Sequence, residues 1–105
     1  MEKQDAVAAL AALAQETRLD VFRLLVRAGG DGTAPGEIAE ALGIASPTLS
    51  FHLKELKGAG LVRVRREGRS LLYAPDFAAM RRLVAYLGEN CCQGVAASDT
   101  RRRRS

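Results

Sequence analysis

The chain has 105 residues, a formal net charge of +4 and 48% hydrophobic content, with three phenylalanines, two tyrosines and no tryptophan. That is the size of one small domain with a modest aliphatic core, for which dimerisation is a common way to complete burial. No apolar run reaches the length of a membrane span, and one histidine among scattered acids supplies no nucleophile–base pair, phosphate loop or carboxylate dyad. An enzyme and a membrane-spanning protein are therefore both set aside.

The opening Met1-Glu2-Lys3-Gln4-Asp5 has no hydrophobic block, so the expected location is cytoplasmic with no membrane partner. Arg101 to Arg104 account for the whole net charge. The informative cations are local: Lys54, Lys57, Arg63, Arg65, Arg66 and Arg69 make a basic band in one stretch, as a nucleic-acid surface requires.

Residues 5–14 read as a helix with Val7, Leu10, Ala11 and Ala14 on one side. Residues 17–28 form a second, with Leu19, Phe22, Leu25 and Val26 apolar and Arg18, Arg23 and Arg27 facing solvent. Gly29-Gly30-Asp31-Gly32 is a flexible break. Pro35 opens a short helix that places Glu37 in its first turn, turns Ile38, Ala39 and Leu42 inward and ends at Gly43.

After Gly43-Ile44-Ala45, Ser46 reads as a helix cap and Pro47 as the first helical residue. Leu49, Leu53 and Leu56 share one face of this helix, and Gly58-Ala59-Gly60 ends it. Pro47, Phe51, Lys54 and Glu55 point the other way, with Thr48 and Ser50 on the flanks. Short helix, glycine turn, second helix is the helix-turn-helix arrangement. Residues 61–66 then alternate apolar and basic with period two. Glu67-Gly68-Arg69 is a hairpin turn, and residues 70–74 return as a second strand stopped by Pro75. Asp76 caps a last helix over 77–87, with Phe77, Met80, Leu83, Val84 and Leu87 on one stripe and Gly88 at its end.

The expected fold is mainly α with a small β-hairpin, a winged helix-turn-helix in the order four helices, hairpin, helix. Residues 1–90 form the DNA-binding and dimerisation domain, and the first and last helices serve a homodimer. Residues 91–105 form a C-terminal segment with a cysteine pair and an arginine-rich tail, which either adds nonspecific DNA affinity or is simply solvated. Double-stranded operator DNA is the expected partner. Phe51 suits a thymine methyl, and Thr48, Ser50 and Lys54 suit base edges or phosphates. Ser46 and Pro47 at the helix start, Lys57, and Arg65, Arg66 and Arg69 of the hairpin complete the expected interface. His52 either reaches a phosphate or packs inward.

The stretches Gln15-Glu16-Thr17-Arg18-Leu19, Ser50-Phe51-His52-Leu53, Ala59-Gly60-Leu61-Val62 and Glu67-Gly68-Arg69 resemble the ArsR/SmtB family of metal-responsive winged-helix repressors, over residues 8–87. The resemblance implies a homodimer that occupies an operator when empty and leaves it when an inducer binds. The family's arsenic sensors carry Cys-x-Cys in the helix before the groove helix, but here residues 35–42 hold no thiol. Its zinc sensors use Asp and His in the last helix, but here the only histidine is His52. Cys91-Cys92, just past the last helix, resemble the arsenite-responsive variant with C-terminal vicinal cysteines, which work with a third cysteine a few residues later. This sequence has no third cysteine, and Ser98 stands six residues past Cys92.

Trivalent arsenic (As(III)) and antimony (Sb(III)) are thiophilic, so the adjacent thiols are the expected ligands. A third ligand is expected from water, a small thiol, Ser98 or Asn90, and two sulfurs suffice for a monosubstituted organoarsenical. A redox- or persulfide-sensing repressor and an incidental cysteine pair are the alternatives. Zinc lacks a ligand cluster to complete a tetrahedron.

Overall fold

The computed structural model describes residues 1–95. Ser98 and Arg101–Arg104 lie outside the described residues. The elements run α1 (Lys3–Leu13), α2 (Glu16–Ala28), α3 (Pro35–Leu42), α4 (Ser46–Gly58), β1 (Val62–Glu67), β2 (Ser70–Pro75) and α5 (Phe77–Gly88). This is the expected winged helix-turn-helix order.

In α1 the alanine-rich sequence favours the helix, and the side carrying Val7 and Leu10 is not the one that meets the core. Ala6, Ala9 and Ala12 are buried, while Val7 and Leu10 are exposed. Alanines let α1 lie close against α2 and α4, and the larger side chains are left outside. The Gln15 side chain caps α2 by accepting the Arg18 N–H at 2.8 Å, and Val21, Phe22 and Leu25 of α2 face the core. Leu19, expected inside, is exposed.

α3 starts at Pro35, with the Glu37 carboxylate accepting the Ala34 N–H at 3.1 Å. It ends at Gly43 in the left-handed conformation, φ +67°. Its Ile38 is fully buried against α4, whose Leu49, Leu53 and Leu56 are buried as expected. The end of α4 closes as a Schellman motif. Gly60, at φ +79°, donates to the Lys57 carbonyl and Leu61 donates to the Leu56 carbonyl, both at 3.0 Å. Leu56 and Leu61 supply the accompanying apolar contact, both essentially inaccessible to solvent.

β1 and β2 pair antiparallel, from Val62 opposite Pro75 to Glu67 opposite Ser70. Pro75 is thus the last residue of the strand rather than a stop before it. The loop is Gly68-Arg69, with Gly68 at φ +63° in the first central position, where a type II′ hairpin turn calls for glycine.

Residues 29–32 are not merely a flexible break. They lead into Thr33, whose N–H donates to the Tyr73 carbonyl at 2.8 Å and whose carbonyl accepts the Tyr73 N–H at 2.9 Å. This isolated bridge ties the α2–α3 connection to the hairpin. Gly32 makes the approach possible, because a Cβ there would stand 2.8 Å from Leu72 Cβ, on backbone at φ +97°.

Asp76 caps α5 as expected, its carboxylate accepting the Ala79 N–H at 3.0 Å. Ala79 and Leu83 are buried, and Met80 and Tyr86 pack partly against the core. The expected stripe therefore splits. Val84 is 66% exposed and Leu87 61%, so they lie outside the core as Val7 and Leu10 of α1 do.

Candidate nucleic-acid interface and thiol site

α4 presents its outward face because its leucines are committed to the core. Ser46, Pro47, Thr48, Ser50, Phe51, Lys54 and Lys57 are all exposed. Ser46 is not the cap. The Leu49 N–H bonds to the Ala45 carbonyl at 3.0 Å, which makes Ala45 the cap residue and Ser46 the first helical residue. No side chain caps this end, so the Ser46 hydroxyl is not spent on its own helix.

His52 is the second departure. It is 6% exposed, and its Nδ1 accepts from Arg18 Nε at 3.3 Å. It is withdrawn from the face offered to a duplex, so the inward alternative holds. Arg18, expected in solvent, is half-buried; its guanidinium also donates to the Ala12 carbonyl at 3.3 Å and lies 5.6 Å from the Phe51 ring centroid. Phe51 stays 54% exposed, with its ring set edge-on to the imidazole at 5.6 Å. Arg18 lies 34 positions from His52, and no spacing rule connects them in the sequence.

Desolvation, and then the Arg18 charge, hold the His52 imidazole below its ordinary pKa. A depressed histidine favours the neutral form in the fold. Its contribution to stability is present above the unfolded value of about 6.5 and is lost as pH falls below it toward the folded value.

In the wing, Arg63, Arg65, Arg66 and Arg69 are exposed. Arg65 is engaged within the protein: it donates to the Asp31 carbonyl at 2.7 Å and pairs with Glu67 at 3.4 Å. It ties the wing to the α2–α3 connection. Arg66 and Arg69 stand nearer the hairpin tip and, unlike Arg65, have no side-chain hydrogen bond or ion pair among the described residues. Substituting either by alanine is expected to lower the slope of log K against log salt by about 0.9, with little change in sequence preference. Binding isotherms over a salt series read this directly, and an unchanged slope removes the wing from the DNA contacts.

Past α5 the chain turns sharply. Asn90 and Cys92 are in left-handed backbone at φ +59° and +65°, and the Cys91 N–H donates to the Gly88 carbonyl at 3.1 Å. The turn brings the two exposed thiols together with Sγ···Sγ at 2.8 Å. Their hydrogen bond, with a smaller part from desolvation, pushes the Cys91 thiol up. Asn90 is exposed in the same turn. Among the described residues no cluster of three or more His, Cys, Asp and Glu could hold a metal ion. The site as described has two sulfur donors.

Three comparisons bear on this arrangement. A family model described as a helix-turn-helix domain matches residues 13–65, from the end of α1 into β1. The transcriptional regulator CmtR of Mycobacterium tuberculosis is 40% identical over 90 residues, covering 85% of this chain and 70% of the relative. Among solved structures, the homodimeric winged helix-turn-helix DNA-binding domain of Mb0332 from Mycobacterium bovis superposes with a TM-score of 0.67 at 29% identity, covering 88% of this chain and 86% of that one. An ArsR-like transcriptional regulator from Rhodococcus sp. RHA1 shares the fold with a TM-score of 0.76 at 23% identity, covering 93% and 86%. With an exposed groove helix, a basic wing and these matches together, the chain belongs to the ArsR family of winged helix-turn-helix transcriptional regulators.

Proposed function

We propose that this protein is a metalloid-responsive repressor, a homodimer that holds operator DNA with α4 and the wing and releases it when As(III) or Sb(III) binds Cys91 and Cys92. The observation that carries the reading is the pair of exposed thiols set 2.8 Å apart at the end of α5. Cys91 and Cys92 would hold the ion through their sulfurs; with arsenous acid, each thiol proton would leave with a hydroxyl as water. Asn90, exposed in the same turn, is the candidate oxygen ligand among the described residues.

The dimer reading rests on the apolar side chains that the fold leaves outside, Val7 and Leu10 on α1 and Val84 and Leu87 on α5. A symmetric partner would bury them, and an operator with two half-sites calls for a two-fold protein. The thiol turn continues directly from α5, so clamping it acts on a helix that carries half of that apolar surface. A coupling of roughly 1–3 kcal/mol between the two sites weakens DNA binding about 5–150-fold, sufficient for derepression.

The test is a titration of the protein, bound to DNA from upstream of its own coding region, with arsenite and antimonite. Fluorescence anisotropy should report release at concentrations where zinc gives none. Retention of DNA under both metalloids would defeat the reading.

A further inference from the structure

We propose that Arg18 is a positioning residue for the DNA-reading helix, joining α1 and α2 to α4 through His52, and that proton uptake by His52 breaks the joint and weakens DNA binding. The inference rests on the reading of α4 as the groove helix but does not involve the thiol site.

The geometry is a three-way strut. Arg18 stands in the first turn of α2. One of its nitrogens reaches the carbonyl of Ala12 near the end of α1, another reaches His52 Nδ1 in α4, and the guanidinium lies beside the Phe51 ring on the exposed side of α4. Below these contacts is an open cleft of about 420 Å³ between α1 and α4, walled by Ala8, Ala11 and Ala12 on one side and Gly58 and Ala59 on the other. Those walls are too small to fix the angle between the helices by interdigitation. Arg18 crosses the gap at the cleft, where its long side chain does what the alanines do not.

The strut works only with a neutral imidazole. To accept from Arg18, Nδ1 must be bare, so the ring proton sits on Nε2. A second proton would go on Nδ1 and point a donor at a guanidinium, replacing a hydrogen bond by a like-charge contact at the same 3.3 Å. Burial and the Arg18 charge already act against that proton. Facing groups on the surrounding elements do not offset it. The cleft wall from α1 is alanine; the Glu37 carboxylate of α3 is taken by the Ala34 N–H; Glu40 of α3 and Arg63 of β1 stand exposed. Lys54 and Glu55 of α4 line the cleft with Arg18, and Glu55 is the carboxylate open to the guanidinium once it leaves the imidazole. With Arg18 turned toward Glu55, α4 loses the hydrogen-bonded part of its tie to α1, and Phe51 loses the cation beside its ring.

The sign of the pH dependence separates this from a plain electrostatic role. A histidine touching phosphate would strengthen DNA binding as it gains charge. A histidine holding Arg18 must weaken it. The chain has one histidine, so the profile between about pH 5 and pH 7.5 reads that side chain.

The experiment uses a duplex selected by the protein itself from a randomised pool at pH 7.5. Affinity is then measured by anisotropy for the full chain, His52→Gln and Arg18→Lys. Glutamine can accept the Arg18 N–H but does not titrate. Lysine keeps the charge but cannot hold the two acceptors as the guanidinium fork does. The wild type should lose affinity on acidification, by at most about tenfold per pH unit for each protomer's imidazole, and so at most about a hundredfold per unit for the dimer, below the imidazole pKa. His52→Gln should bind like wild type at pH 7.5 and stay flat. Arg18→Lys should bind more weakly at pH 7.5 with the salt slope unchanged, since no phosphate contact is lost. Melting curves at pH 7.5 establish that each variant is folded. If Arg18→Lys fails to fold, the wild-type and His52→Gln profiles still decide the matter. A wild-type profile that is flat or rises on acidification overturns the proposal, as does a glutamine variant with the wild-type slope. Failure to select any duplex at pH 7.5 removes the groove-helix reading and this proposal with it.

Discussion

With Cys92 replaced by serine, the protein is expected to bind its operator with wild-type affinity and to remain bound at arsenite concentrations that release the wild type. The same holds for Cys91→Ser. Neither thiol touches the core: every residue from Leu87 to Val95 is exposed, so a serine costs the fold no more than other surface changes, within about 0.5 kcal/mol. What is lost is the second sulfur. A single thiol cannot bridge, and a hydroxyl is a poor donor for a thiophilic centre. The coupling of roughly 1–3 kcal/mol then vanishes, and the 5–150-fold weakening with it. Anisotropy of labelled operator, with antimonite alongside arsenite, gives the result. If both single variants still release DNA as the wild type does, the input lies elsewhere in the chain. Sequence-selective DNA binding by the two variants without metalloid keeps that outcome separate from failure of the groove helix.

Leu56→Ala should instead remove stability, by about 2–5 kcal/mol. Leu56 is completely buried, and its carbonyl accepts the Leu61 N–H in the motif that ends α4. Removing the side chain opens a cavity where α4, the first residues of the wing and the core meet. A domain this small has a total stability of about 5–15 kcal/mol, so the loss is a large share of it. At about 4–8 °C for each kcal/mol, the melting temperature should fall by roughly ten degrees or more. Thermal unfolding followed by circular dichroism measures it, and a shift of only a few degrees would mean that the core collapses around the gap. DNA binding should fail because the fold fails, in contrast to the cysteine variants.

The parts legible in the sequence are those where local chemistry and tertiary packing agree. Pro35, Gly43, Gly60, Gly68 and Asp76 sit where helix starts, helix ends and the hairpin turn need them, and the leucines of α4 are buried at helical spacing. Misreadings occur where two side-chain sets compete for one face. In α1 the larger apolar side chains Val7 and Leu10 are outside, and Ala6, Ala9 and Ala12 are inside because small residues permit close helix contact. In α5 one apolar stripe covers both the core contact of Leu83 and the outward Val84 and Leu87, and periodicity cannot divide it. Ser46 has the side chain of a cap, but the backbone places the helix start one residue earlier. The Arg18–His52 contact and the Thr33–Tyr73 pairing join distant positions, and only the folded chain brings them together.

The placement of the thiol turn has a consequence for how such a regulator can change over generations. Leu83 is the last fully buried residue in the described chain, and Tyr86 the last that is partly buried. From Gly88 to Val95 no side chain packs into the core, and the groove helix and wing lie on other elements. On the proposed function, what the protein responds to and which sequence it reads can therefore drift separately, each under its own selection, with neither exposed to the penalty of a failed core.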